Sequence, residues 1–141
     1  MKKFLLVFLL GFCSFTLIAC QSQMEEMTLL DSVSDISISK SNGYGGLNEN
    51  YFVSINQEED ISTIEGILKN AKGVNGDVDV NNDNPDYDIL VRYENGDTHG
   101  LHLVLGNEGE ETIFMYIGDE KNGFTVSSEA TKMLKSIIDV Q

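Results

Sequence analysis

Apolar positions along this chain switch between two periods, and the switches mark its elements. From Val33 through Ile36 and Ile38, with Ser37 and Ser39 between, alternation puts apolar groups on one side of a strand and hydroxyls on the other. Asn42-Gly43 opens a glycine-rich connection, SNGYGGLNEN, into a second strand at 51–55, so the two predict a hairpin with a long loop. Ile61, Ile64, Ile67, Leu68 and Ala71 then follow helical spacing. Glu58, Glu59 and Asp60 lie at the positive N-terminal end of that helix, Lys69 and Lys72 near its C-terminus, and Gly73 ends it. The stretch VNGDVDVNNDNP, 74–85, is polar and turn-rich and predicts a long irregular connection. Four alternating runs follow, 87–93, 98–105, 112–117 and 124–126, with Asn95-Gly96 and Asn122-Gly123 as turns that want positive φ. A second amphipathic helix begins near Ser127 or Ser128 and carries Ala130, Met133, Leu134, Ile137 and Ile138 on one stripe. The predicted order is ββαββββα, a two-layer α+β domain with a mostly antiparallel sheet and two helices.

Ahead of this body lies a different pattern. Lys2 and Lys3 precede an apolar run from Phe4 to Ala19, too short for a membrane span and shaped like a secretory signal peptide. Leu17-Ile18-Ala19-Cys20 resembles the lipobox of bacterial lipoproteins. That resemblance implies a diacylglyceryl group on the sulfur of Cys20 and cleavage before it, since a free thiolate is the acyl acceptor. The expected organisation is a signal peptide over 1–19, a lipidated tether over 20–31 and one domain over 32–141. Cys13 leaves with the leader, so the mature chain has neither a disulfide nor a thiol catalyst.

Charge narrows the partners. The 141 residues carry a formal charge of −14; without Lys2 and Lys3, seven basic residues face 23 acidic ones, a mature charge of −16. No basic cluster exists to neutralise phosphates, which excludes nucleic acid, and charge cannot hold the chain on an anionic membrane. The lipid on Cys20 is the expected membrane contact, at the extracytoplasmic face. With 41% hydrophobic residues over the whole chain, enough apolar material remains beyond the leader for one ordinary core.

Candidate chemistry is sparse. The chain lacks a nucleophile elbow, a paired-cysteine motif, a metalloprotease helix signature and a P-loop, so no catalytic residue and no cofactor is assigned and the reading is non-enzymatic. His99 and His102 stand three apart on one strand and point to opposite faces. Asp77, Asp79, Asn81, Asp83 and Asp88 fall at positions 1, 3, 5, 7 and 12 of a calcium-loop frame. The frame's glycine is replaced by Asn82 and its ninth position by Pro85, so a solvated acidic loop competes with a cation site. Taking odd-numbered residues together, Tyr87, Ile89, Val91, Tyr93, Leu101, Leu103, Leu105, Ile113, Met115 and Ile117 should pack on the helices. The other face then holds Leu90, Arg92, His102, Val104, Phe114 and Tyr116. It is too aromatic for a plain solvent face: it is either a binding surface or a face covered by the glycine-rich loop or a second copy.

Taken in chain order, the lipobox, SNGYGGLN, the helix, NPDYD, ILVRY, HGLHLVLG and the terminal helix resemble the small YhfM-type lipoproteins of Bacillus-like bacteria, over most of residues 32–139. The resemblance implies the outer leaflet of a Gram-positive cell membrane and brings no activity with it. Two functions stand side by side: a membrane-anchored binding module for a protein or other envelope component, and a binder of calcium or another cation through the acidic loop.

Overall fold

A computed structural model describes residues 26–28, 32–79 and 84–139. The leader, Cys20, Asn81 and Asp83 lie outside the described residues. The elements run β1 (Val33–Lys40), β2 (Tyr51–Ile55), α1 (Glu58–Lys69), β3 (Lys72–Gly73), β4 (Tyr87–Tyr93), β5 (Thr98–Val104), β6 (Thr112–Tyr116), β7 (Gly123–Val126) and α2 (Ser128–Asp139). The two helices and antiparallel strands bear out the α+β expectation. Two-residue β3 is the added element: α1 ends at Lys69, and Lys72-Gly73 pairs with β7 instead of extending the helix.

All seven strands form one sheet in the order β2-β1-β4-β5-β6-β7-β3. The chain crosses from the β2 edge to the β3 edge through α1, then returns to place β4 beside β1. Both helices cover one face. Ile61, Ile64, Ile67 and Leu68 of α1, with Leu134 and Ile138 of α2, join Ile36, Ile38, Val53, Ile89, Val91, Leu101, Leu103 and Phe114 in one buried cluster. Ser127 starts α2: its Oγ accepts the Ala130 N–H at 3.3 Å. Thr131 and Thr112 bond through their hydroxyls at 2.8 Å, tying α2 to β6 beneath the surface.

Three expectations change. Leu101 and Leu103 stand opposite Tyr116 and Phe114 across β5 and β6, so Phe114 is a core residue with no exposure and Tyr116 packs against the same cluster. Met115 and Ile113 point the other way, because odd residues of β5 face even residues of β6, whereas odd faces odd between β4 and β5. Second, residues 26–28, expected to lie in an unstructured stretch ahead of the domain, dock on it. Glu26 bridges to Lys72, Met27 is 5% exposed within the core cluster, and the Tyr116 hydroxyl donates to the Thr28 carbonyl at 3.0 Å. A single buried methionine has no period to announce it. Third, Gly96 has the predicted positive φ of 92°, but in the last hairpin the positive φ belongs to Gly118 at 97°. Gly123 is needed for space: a Cβ there would stand 2.4 Å from Val78 Cγ2.

Candidate functional site

Opposite the helices, one row of cross-strand partners runs from β2 to β7: Tyr51 faces Ser39, Ser39 faces Asp88, Asp88 faces His102, His102 faces Met115, and Met115 faces Gly123. Ser39, Asp88, His102 and Met115 have no solvent exposure. Buried polar side chains in such a row need hydrogen-bond partners. His102 Nδ1 and Asp88 Oδ1 are 2.7 Å apart, and a carboxylate only accepts, so Nδ1 carries the proton. Asp88 Oδ2 accepts the Asn48 N–H at 2.8 Å, and the Ser39 hydroxyl donates to the Asn48 carbonyl.

These bonds fasten the glycine-rich loop onto the sheet. Tyr44 sets its ring edge-on to His102, centroids 5.5 Å apart, and its hydroxyl points at Met115 Sδ, 3.9 Å away. Gly43 and Gly45, at φ 99° and 134°, let the loop bend over the row in a backbone region that side chains disfavour. The 74–79 segment covers the far end: the Val78 N–H donates to the Lys121 carbonyl, and its side chain fills the space above Gly123. Of the two readings of this face, the structure shows the covered one, with the glycine-rich loop as cover.

SNGYGGLN, NPDYD and HGLHLVLG thus meet in one place, through Tyr44, Asn48, Asp88 and His102. Asp88 is drawn away from the acidic loop because both of its oxygens are engaged here. Asp77 and Asp79 are exposed, and among the described residues no group of three or more His, Cys, Asp or Glu is placed to hold a metal ion. Arg92 shares the face but belongs to a second cluster. It donates to Asp35 and, at 2.8 Å, to the Ser37 hydroxyl, and it lies 5.6 Å over the Tyr51 ring. Burial pushes the Tyr51 phenol up, against the Arg92 charge. Phe114 and Tyr116 are not part of this face. His99 is with Tyr116 on the helix side, bonded to the Tyr93 hydroxyl at 2.9 Å.

His102 Nε2 is buried with no hydrogen-bond partner. Glu120 Oε1, on the turn before β7, lies 3.7 Å from it, beyond hydrogen-bond reach, and accepts the Gly118 N–H at 2.8 Å. A groove of about 490 Å³ between α1 and α2, lined by Ile67, Val126 and Met133 among others, lies on the opposite side of the sheet from this chemistry. No helix among the described residues is long and apolar enough to cross a membrane.

The fold is similar to that of the solved structure of a thioesterase-like protein from Clostridium sporogenes. That structure is 20% identical, with a TM-score of 0.57, and the match covers 78% of this chain and 97% of that one. At that identity the likeness is one of fold. No curated protein matches the chain. A family model described as YhfM protein matches residues 31–141, the span that holds every strand and helix of the described residues and the motifs that meet at Asp88 and His102; the chain belongs to the YhfM family.

Proposed function

We propose that this protein is a lipoprotein held on the outer face of the cell membrane through Cys20, and that its domain is a non-enzymatic binding module for a protein or other envelope component. The leader and lipobox support the anchor. The docking of 26–28 adds a geometric consequence. Six residue steps separate Cys20 from Glu26, a reach of at most about 20 Å, so the β3 edge of the sheet stays close to the bilayer.

The observation that carries the binding reading is the clamp on the 41–50 loop. Asn42, Gly45, Gly46, Glu49 and Asn50 are exposed, while Asn48 and Tyr44 are fixed to the buried Asp88–His102 pair. A surface loop held in one shape by a rigid sheet avoids the ordering cost of binding. The Asp88–His102 pair itself is spent on this clamp: its ring has no exposure and lies beneath Tyr44. That supports a positioning role over proton transfer to a substrate.

Two measurements test the reading. In cells given labelled palmitate, the wild type should take up label and sediment with membranes, and Cys20→Ala should do neither; label on the variant overturns the anchor. A photocrosslinker at Glu49 in intact cells should capture one specific species, lost in Asp88→Asn, where the clamp is weakened. Capture that is unchanged by Asp88→Asn, or no capture, overturns the loop as the binding element.

A further inference from the structure

We infer that β2 is a partner-binding edge, and that it takes an extended polypeptide segment with an apolar centre and basic ends, added to the sheet as a further strand. The inference rests on the binding-module reading and names the chemistry of the partner.

The sheet has two edges, and among the described residues only one is open. At the β3 edge the chain covers itself: Glu26 bridges to Lys72, and its carboxylate accepts from Lys72 Nζ at 3.0 Å. At the other edge, β2 pairs with β1 alone. Alternate residues of such a strand turn their N–H and C=O groups outward, where another strand can pair with them. Edges are ordinarily blunted by Lys or Pro, and YFVSI, Tyr51–Ile55, has neither and no charge of any kind. Phe52 is 45% exposed, and its ring packs against that of Tyr87, centroids 6.0 Å apart. An exposed aromatic group braced by a second ring is the kind of anchor on which interfaces concentrate their energy.

Placement and charge select the occupant. In the seven-stranded sheet β2 stands six spacings from β3, up to about 29 Å at roughly 4.8 Å each, so it is the edge remote from the tether. It also continues directly from the clamped 41–50 loop. Acids bracket it: exposed Glu49 precedes the strand, and exposed Glu58 and Glu59 follow it. A second copy pairing antiparallel about Val53 would set Glu49 beside Glu58 of the other copy at both ends, on chains whose acids outnumber their bases 23 to 9. Like charges so placed oppose pairing. A segment with Lys or Arg at both ends meets an acid at each end instead, while its apolar centre covers Phe52. Main-chain bonds supply the affinity of such strand addition and side-chain contacts its specificity.

The test uses the full mature chain in detergent and a synthetic probe, Lys-Lys-Val-Thr-Val-Thr-Val-Lys-Lys. The probe should bind and slow hydrogen exchange at alternate amides of β2, leaving Leu101 in the sheet centre unchanged. Of two probes methylated on alternate sets of backbone nitrogens, one should lose binding and the other keep it, since only every second amide faces β2. Phe52→Ala, at an exposed position, should weaken the probe about tenfold or more while the domain still melts cooperatively. Glu in place of Lys in the probe should abolish binding, and Glu49→Lys combined with Glu58→Lys should reverse that preference. The inference falls if the Lys probe does not bind or if both methylated probes bind as well as their parent. It falls also if sedimentation shows a dimer that Phe52→Ala dissolves, which makes a second copy the occupant. The Glu49 crosslink and its loss in Asp88→Asn test the binding module separately: specific capture there beside a probe that does not bind sinks the edge and leaves the module standing.

Discussion

Phe114 stands directly opposite Leu103 across β5 and β6, and both side chains are wholly enclosed on the helix side of the sheet. That pairing decides which aromatic groups are core and which face the loops. Phe114→Ala should therefore destabilise the domain by about 3–5 kcal/mol in urea unfolding, as a large cavity in a packed core does. Ile113, half-buried on the loop side, should cost clearly less when cut to Ala. Equal losses at the two positions would contradict the pairing.

Asp88→Ala should leave the His102 ring and the Asn48 amide without their acceptor. Breaking a buried pair by removing one partner costs about 3–5 kcal/mol. The local signature distinguishes this from general loosening: hydrogen exchange at the Asn48 amide should accelerate more than exchange at Ile36 or Leu101 in the sheet centre.

Gly123→Ala should destabilise by about 1–3 kcal/mol, because the new methyl meets Val78 Cγ2 at 2.4 Å and Ile113 Cγ2 at 3.2 Å. Val78→Ala removes the closer neighbour. In a double-mutant cycle the pair should be less harmful than the sum of the two single changes, whereas strict additivity would mean that the 74–79 segment does not lie over β7.

Tyr116 and Tyr51, two of the five tyrosines, should ionise later than an ordinary phenol, since burial raises both. The folded state then holds protons that the unfolded chain releases near pH 10. Stability from these groups is complete below that pH and is lost as pH rises through the higher folded values. A phenolate absorbance titration should show a late-ionising class that disappears in Tyr116→Phe combined with Tyr51→Phe.

Alternation gave the limits of β2 and β4, located β1 and ran one residue past the end of β5; helical spacing found α1 and α2 but carried α1 past Lys69 into β3, and Asn95-Gly96 marked its turn, because these features depend on neighbours three or four residues away at most. Within a strand, alternation also separated His99 from His102 correctly. What it could not give is the phase of one strand against the next. That phase is set by hydrogen-bond register across a connection, and between β5 and β6 it turned Phe114 and Tyr116 inward and Met115 outward. The clamp was hidden for a related reason. Asp88 and Asn48 are 40 residues apart, and Asp88 and His102 meet only because β4 and β5 bring them opposite each other. In the sequence, Asp88 reads as the end of an acidic loop and Tyr44 as part of a glycine-rich connection. Only the assembled sheet turns them toward one histidine, because burying that face leaves each polar group no water and requires each to find a partner in the chain.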